Sequence, residues 1–170
     1  MKVAKLLGPL SALNAVLARW AMYLACACLA GLLVIVVYGV VMRYVFASAP
    51  PYVEQVSLLL VISVAMFAAS AGVRDATHIG MDSLVAILPG PVRFWAKVIV
   101  QVLTILFALA LAFGGGELAI SLRSDTIPTL GISESFRYGP VVLAGIAITL
   151  FGIEHILALW TGTKLERSWH

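Results

Sequence analysis

The run VSLLLVISVAMFAASAGV at residues 56–73 carries no charge, and it sits between two compact polar clusters. RYVFASAPPYVEQ precedes it and RDATHIGMD follows it, so the stretch Arg43 to Asp82 alternates polar, apolar, polar. A helix rising 1.5 Å per residue needs about 20 apolar residues to cross a hydrocarbon core of ~30 Å. The run with its first turn meets that length, and the polar residues gather where such a helix would meet water. Composition extends the conclusion to the whole chain. Only 11% of its 170 residues are charged and 62% are hydrophobic, with mean hydropathy +1.08. A soluble domain carries roughly 25% charged residues. This chain cannot cover a globule with polar surface, so its solvent is a bilayer, and its length leaves no room for a separate extramembrane domain.

Taken in order, the chain predicts an all-α integral membrane protein: four transmembrane helices with an N-terminal amphipathic interfacial helix, both termini cytoplasmic. Residues 1–19 place Leu6, Leu10, Leu13, Leu17 and Trp20 at spacings of four, three, four and three, with Lys5, Ser11, Asn14 and Arg19 elsewhere. That pattern predicts a helix lying in the inner interface. The membrane domain is expected over 20–163, with spans about 21–42, 54–73, 95–122 and 138–160, followed by a tail at 164–170. Gly31 and Gly39 are candidate close-packing points in the first span. Pro50 and Pro51 suit a turn and a helix start, and Glu54 falls in the first turn that follows, where a carboxylate favours the helix dipole. Met81, Leu84, Val85 and Leu88 predict a short interfacial helix ended by Pro89-Gly90-Pro91. Residues 123–137 read as the second outer loop. Eight of the eleven Lys and Arg residues then fall on one side (Lys2, Lys5, Arg19, Arg74, Arg93, Lys97, Lys164, Arg167) and three on the other (Arg43, Arg123, Arg137), which places the termini inside.

Chemistry is poorly supplied. The net charge of +3 is spread singly at segment ends, which argues against nucleic-acid binding. Cys26 and Cys28 lie two apart in an apolar run and do not suit a disulfide. There is no phosphate loop, no HExxH and no nucleophile elbow. Of His78, His155 and His170, only His155 falls near a span, so a haem held between helices lacks its ligand pair. The sequence predicts no enzyme, no cofactor and no metal. Glu117, after Gly114-Gly115-Gly116, is the one acidic residue well inside a span. It is either a buried pair or ion contact, or a carboxylate reaching outer headgroups near Arg43 or Arg123, and its depth favours the second. Glu154 and His155 read as anchors at the inner interface. Four helices without a polar site at mid-depth make a poor stand-alone carrier, which points to a subunit of something larger.

The polar clusters resemble those of the small four-helix membrane subunit of TRAP (tripartite ATP-independent periplasmic) transporters, the DctQ-like family. Arg43, Phe46, Pro51 and Glu54 match its Arg, aromatic turn and Pro-Trp-x-Glu-Glu, with Tyr52 in place of Trp and Gln55 in place of the second Glu. Arg74, His78, Ile79 and Asp82 match its Arg-x-x-x-His-Ile-x-x-Asp, and Leu88-Pro89 follows. The resemblance implies a bacterial inner-membrane subunit of a sodium-driven, binding-protein-dependent importer of organic acids. Its implied partners are a separate large permease subunit, a periplasmic substrate-binding protein and membrane lipid. Arg43, Glu54, Arg74, His78 and Asp82 become expected structural or interface residues, with Arg74, His78 and Asp82 forming a polar cluster at helical spacing. Two other classes remain open: the small subunit of a tripartite tricarboxylate transporter, and an assembly or regulatory protein without a transport role.

Overall fold

The computed structural model describes residues 2–48, 50–76 and 90–161. Four long helices dominate them: α1 Lys2–Tyr44, α2 Pro51–Ala76, α3 Gly90–Ser121 and α4 Gly139–Thr161. Each contains a stretch long and apolar enough to cross a membrane. The chain runs up and down, so the start of α1, the end of α2, the start of α3 and the end of α4 share one end of the bundle. α1 packs along α2, α3 packs along α4, and α4 joins the pairs by touching α1 and α2 as well. The bounds of α2, α3 and α4 lie within five residues of the expected spans, whereas α1 begins well before the first expected span. The expected helix at 81–88, His78, Asp82 and the tail at 164–170 lie outside the described residues.

Local chemistry explains the boundaries. Pro51 opens α2, where its missing N–H costs no helical bond, and Glu54 follows in the first turn. The end of α1 is a left-handed cap: Ala47 has φ of 50°, and the Ser48 amide donates to the Met42 carbonyl at 3.0 Å. Between α3 and α4 the chain folds on itself. Ile127 and Ile132 pair through the backbone, Gly131 takes φ of 67°, and Ser133 caps a short 3-10 turn at Glu134–Arg137.

The N-terminal segment is helical and runs without a break through Arg19 and Trp20 into the first span. Nothing between them can stop a helix. At 43 residues α1 is roughly 65 Å long, about twice a hydrocarbon core. Its faces are arranged as in a membrane bundle. Leu13, Leu17 and Trp20 point outward, while Asn14, Ala18, Ala21 and Ala25 are buried against the other helices.

Small residues set the helix spacing. A side chain on Gly145 of α4 would stand 2.8 Å from the Ala108 carbonyl oxygen of α3, and one on Gly152 would collide with Ile105. Gly115 of α3 meets Val141 and Val142 of α4 in the same way. On the other seam, Gly39 of α1 sits against Val53 and Gly31 against Leu60, as expected for close-packing points. Ser57, Ser63 and Ser70 donate to carbonyls of their own helix three or four residues back. α4 is the central element: 44% of its most apolar window is buried, against 6% for α1.

Candidate functional site

The polar interior is concentrated at the end where α1 begins and α4 finishes. Arg74 stands in the last turn of α2, Glu154 two turns before the end of α4, and Asn14 in the fourth turn of α1. Their accessibilities are 5%, 0% and 0%. A carboxylate and a guanidinium so enclosed must satisfy one another, because neither has water to return to. Arg74 reaches Glu154 twice, with Nε 3.4 Å from Oε2 and Nη2 3.3 Å from Oε1. Its Nη2 also donates to the Ser11 carbonyl at 3.3 Å, and its Nη1 lies 3.7 Å from Asp75 Oδ1.

Asn14 closes the cluster. Its Nδ2 donates to Glu154 Oε2 at 2.7 Å and to the Leu150 carbonyl at 3.3 Å. Both neighbours are acceptors only, which dictates that the amide NH2 faces them. Glu154 thus accepts three hydrogen bonds, from two other helices. Asn14 Oδ1 is left buried without a hydrogen-bond partner among the described residues, as is Gln101 Nε2 on α3. Gln101 is buried where α3 packs on α4, its Nε2 3.3 Å from where a Gly152 side chain would begin. His155 is buried as well, with Nδ1 2.7 Å from the Phe151 carbonyl one turn back.

Arg74 was expected in a cluster with His78 and Asp82 along its own helix. In the described residues it is anchored to α4 and α1. Glu154 and His155 are not interfacial anchors, as their position near a span end suggests; they are interior. Glu154 was missed because its partner is 80 residues away. Asn14 did leave a signal: Asn14, Ala18, Ala21 and Ala25 repeat at four, three and four, the same spacing as the leucines. In a bilayer the stripe of small and polar residues is the one that faces protein.

The opposite end carries the other expected residues. Arg43 and Glu54 are exposed and border the same recess between α1 and α2. Gln55, where a carboxylate was expected, accepts from Arg137 Nη2 at 2.9 Å, while Arg137 Nη1 pairs with Glu134 at 2.8 Å. The amide ties the second loop to α2. Tyr52, where Trp was expected, shares a hydroxyl–hydroxyl hydrogen bond of 2.8 Å with Tyr38 of α1. Glu117 is exposed on α3, and no ion pair joins it to Arg43 or Arg123 among the described residues. No three His, Cys, Asp or Glu side chains converge as a metal site among the described residues.

Comparison with known proteins agrees with this architecture. Residues 32–162 match the family model for tripartite ATP-independent periplasmic transporters, DctQ component. A Haemophilus influenzae protein assigned as a TRAP transporter small permease protein is 23% identical over 125 residues, covering 74% of this chain and 76% of the relative. The match takes in Arg43, Glu54, Arg74 and Glu154, though Asn14 precedes it. A four-helix membrane chain with its interior closed by small residues and one internal ionic knot therefore belongs to the DctQ family, the small membrane component of TRAP transporters.

Proposed function

We propose that this chain supports a separate large permease subunit in a sodium-driven, binding-protein-dependent importer of organic acids, and that it does not form the substrate path. The carrying observation is where polarity goes. A solute path needs polar groups facing a cavity at membrane depth. Here the carboxylate of Glu154 is occupied by Asn14 and Arg74 of the same chain. The outward faces are apolar, and α1 in particular turns most of its most apolar window outward. Such a body suits lipid on one side and a larger helical partner on another.

Within that role, the Arg74 cluster keeps α1, α2 and α4 in one arrangement. His78 and Asp82 extend it on the strength of their helical spacing from Arg74. Arg43 and Glu54 serve contacts at the other end. The termini lie in the cytoplasm and the protein in the bacterial inner membrane.

The test is co-purification of a tagged chain in mild detergent, followed by reconstitution. A large multi-span permease is expected to come with it. Sodium-dependent uptake of an organic acid is expected only when this chain, the permease and a binding protein are all present. Uptake by this chain alone in liposomes would overturn the proposal. Arg74→Ala, His78→Ala and Asp82→Ala are each expected to lower the yield of complex; unchanged yield and uptake in all three would remove the role given to the cluster.

A further inference from the structure

Between the last turns of α1 and the first turn of α2 lies a recess of about 500 Å3. Val36, Gly39 and Val40 line its membrane side, and Arg43 and Glu54 its outer side. The helices touch beside it, since a side chain on Gly39 would stand 2.7 Å from Val53 Cγ1. Val36 also lines a second groove, of about 640 Å3, that runs down α1 past Leu33 and Leu29 to Cys26. The two share Val36, so together they follow α1 as a track whose lower part is almost entirely apolar. From Arg43 to Cys26 it extends roughly 25 Å by helical rise, the scale of one bilayer leaflet with its headgroup layer.

Among the described residues neither Arg43 nor Glu54 has an ion pair or side-chain hydrogen bond, although they border the same recess. A cation and an anion held apart above an apolar track complement an amphiphile that carries both charges. We propose that the track holds one phospholipid with a primary-ammonium headgroup. Its phosphate meets Arg43 through charge-assisted hydrogen bonds, its ammonium meets Glu54, and an acyl chain follows α1 toward Cys26. A glycerol headgroup brings no cation to Glu54, and a choline headgroup has no N–H to donate to it. A free anion leaves the apolar track unfilled.

Native mass spectrometry of the full chain in detergent tests this, with phosphatidylethanolamine, phosphatidylcholine and phosphatidylglycerol offered in equal amounts. One retained lipid is expected, with the ethanolamine form preferred. Arg43→Ala and Glu54→Gln are each expected to lower its retention about tenfold, the worth of one charged hydrogen bond. Glu54→Lys is expected to reverse the order in favour of phosphatidylglycerol, and Val36→Trp to lower retention of all three by filling the track. Glu54 is exposed, so its variants keep the fold, which helical circular dichroism verifies. Equal retention of the three lipids by the native chain, an unchanged order in Glu54→Lys, or displacement of the lipid by inorganic phosphate would each overturn the proposal. The readout uses this chain alone, so its failure leaves the transport proposal standing.

Discussion

Glu154 is the residue on which the interior depends. With 0% exposure it accepts from Asn14 and twice from Arg74, so removing it takes two hydrogen bonds from a buried guanidinium and one from a buried amide. Breaking a buried pair from one side costs about 3 kcal/mol or more, whereas replacing both partners with apolar groups of similar volume is often close to neutral. Glu154→Ala and Arg74→Ala are each expected to destabilise the detergent-solubilised protein by about 3 kcal/mol. The double variant Arg74→Met with Glu154→Leu is expected to recover most of that loss, which thermal unfolding of the four proteins measures. Asn14→Asp should cost more than Asn14→Ala, because it sets a second carboxylate against Glu154. A lighter test sits at the other end. Ala47 holds a φ of 50°, which costs an L-residue with a Cβ about 1 kcal/mol. Ala47→Gly should raise the unfolding midpoint unless glycine's extra freedom in the unfolded chain cancels the gain.

At the scale of the helices, backbone proximity carries the specificity. α3 and α4 approach so closely at Gly145 that an added methyl would lie 2.8 Å from the Ala108 carbonyl oxygen and 2.9 Å from the Ala112 amide nitrogen. Backbone atoms cannot swing aside as a side chain can, so Gly145→Ala must push the helices apart. A loss of about 1–3 kcal/mol is expected. Gly116 is the control, since nothing among the described residues lies within 4 Å of a side chain there. Gly116→Ala is expected to be neutral or to stabilise by up to about 1 kcal/mol through helix propensity. Equal effects of the two substitutions in one unfolding assay would deny the close seam. The same principle explains α1. Its leucine stripe faces outward and its alanine stripe inward, because lipid is as apolar as leucine and gives no reason to bury it, whereas small residues let backbones pack.

For the whole molecule, the proposed orientation rests on the basic residues, eight on the proposed inner side and three on the outer. Alkaline-phosphatase fusions after Ala49 and Thr129 are expected to be active and a C-terminal fusion silent; the reverse pattern would invert the topology. The four long apolar helices and the family were legible in the chain because each rests on local information. Hydropathy sets a span within about 20 residues, Pro51 and Glu54 open α2 by their own backbone chemistry, and the DctQ clusters are short and linear. The second loop was placed as well, though the link from Arg137 to Gln55 was not. What packing alone decided is the site. Asn14, Arg74 and Glu154 meet across 80 and 140 positions of sequence, and no periodicity in one helix reports which residue of another will stand opposite. A carboxylate near a span end reads equally well as an anchor in water or as one half of a buried pair. Only the helix that arrives beside it determines which, since the cost of burying a charge is met by a partner and not by position along the chain.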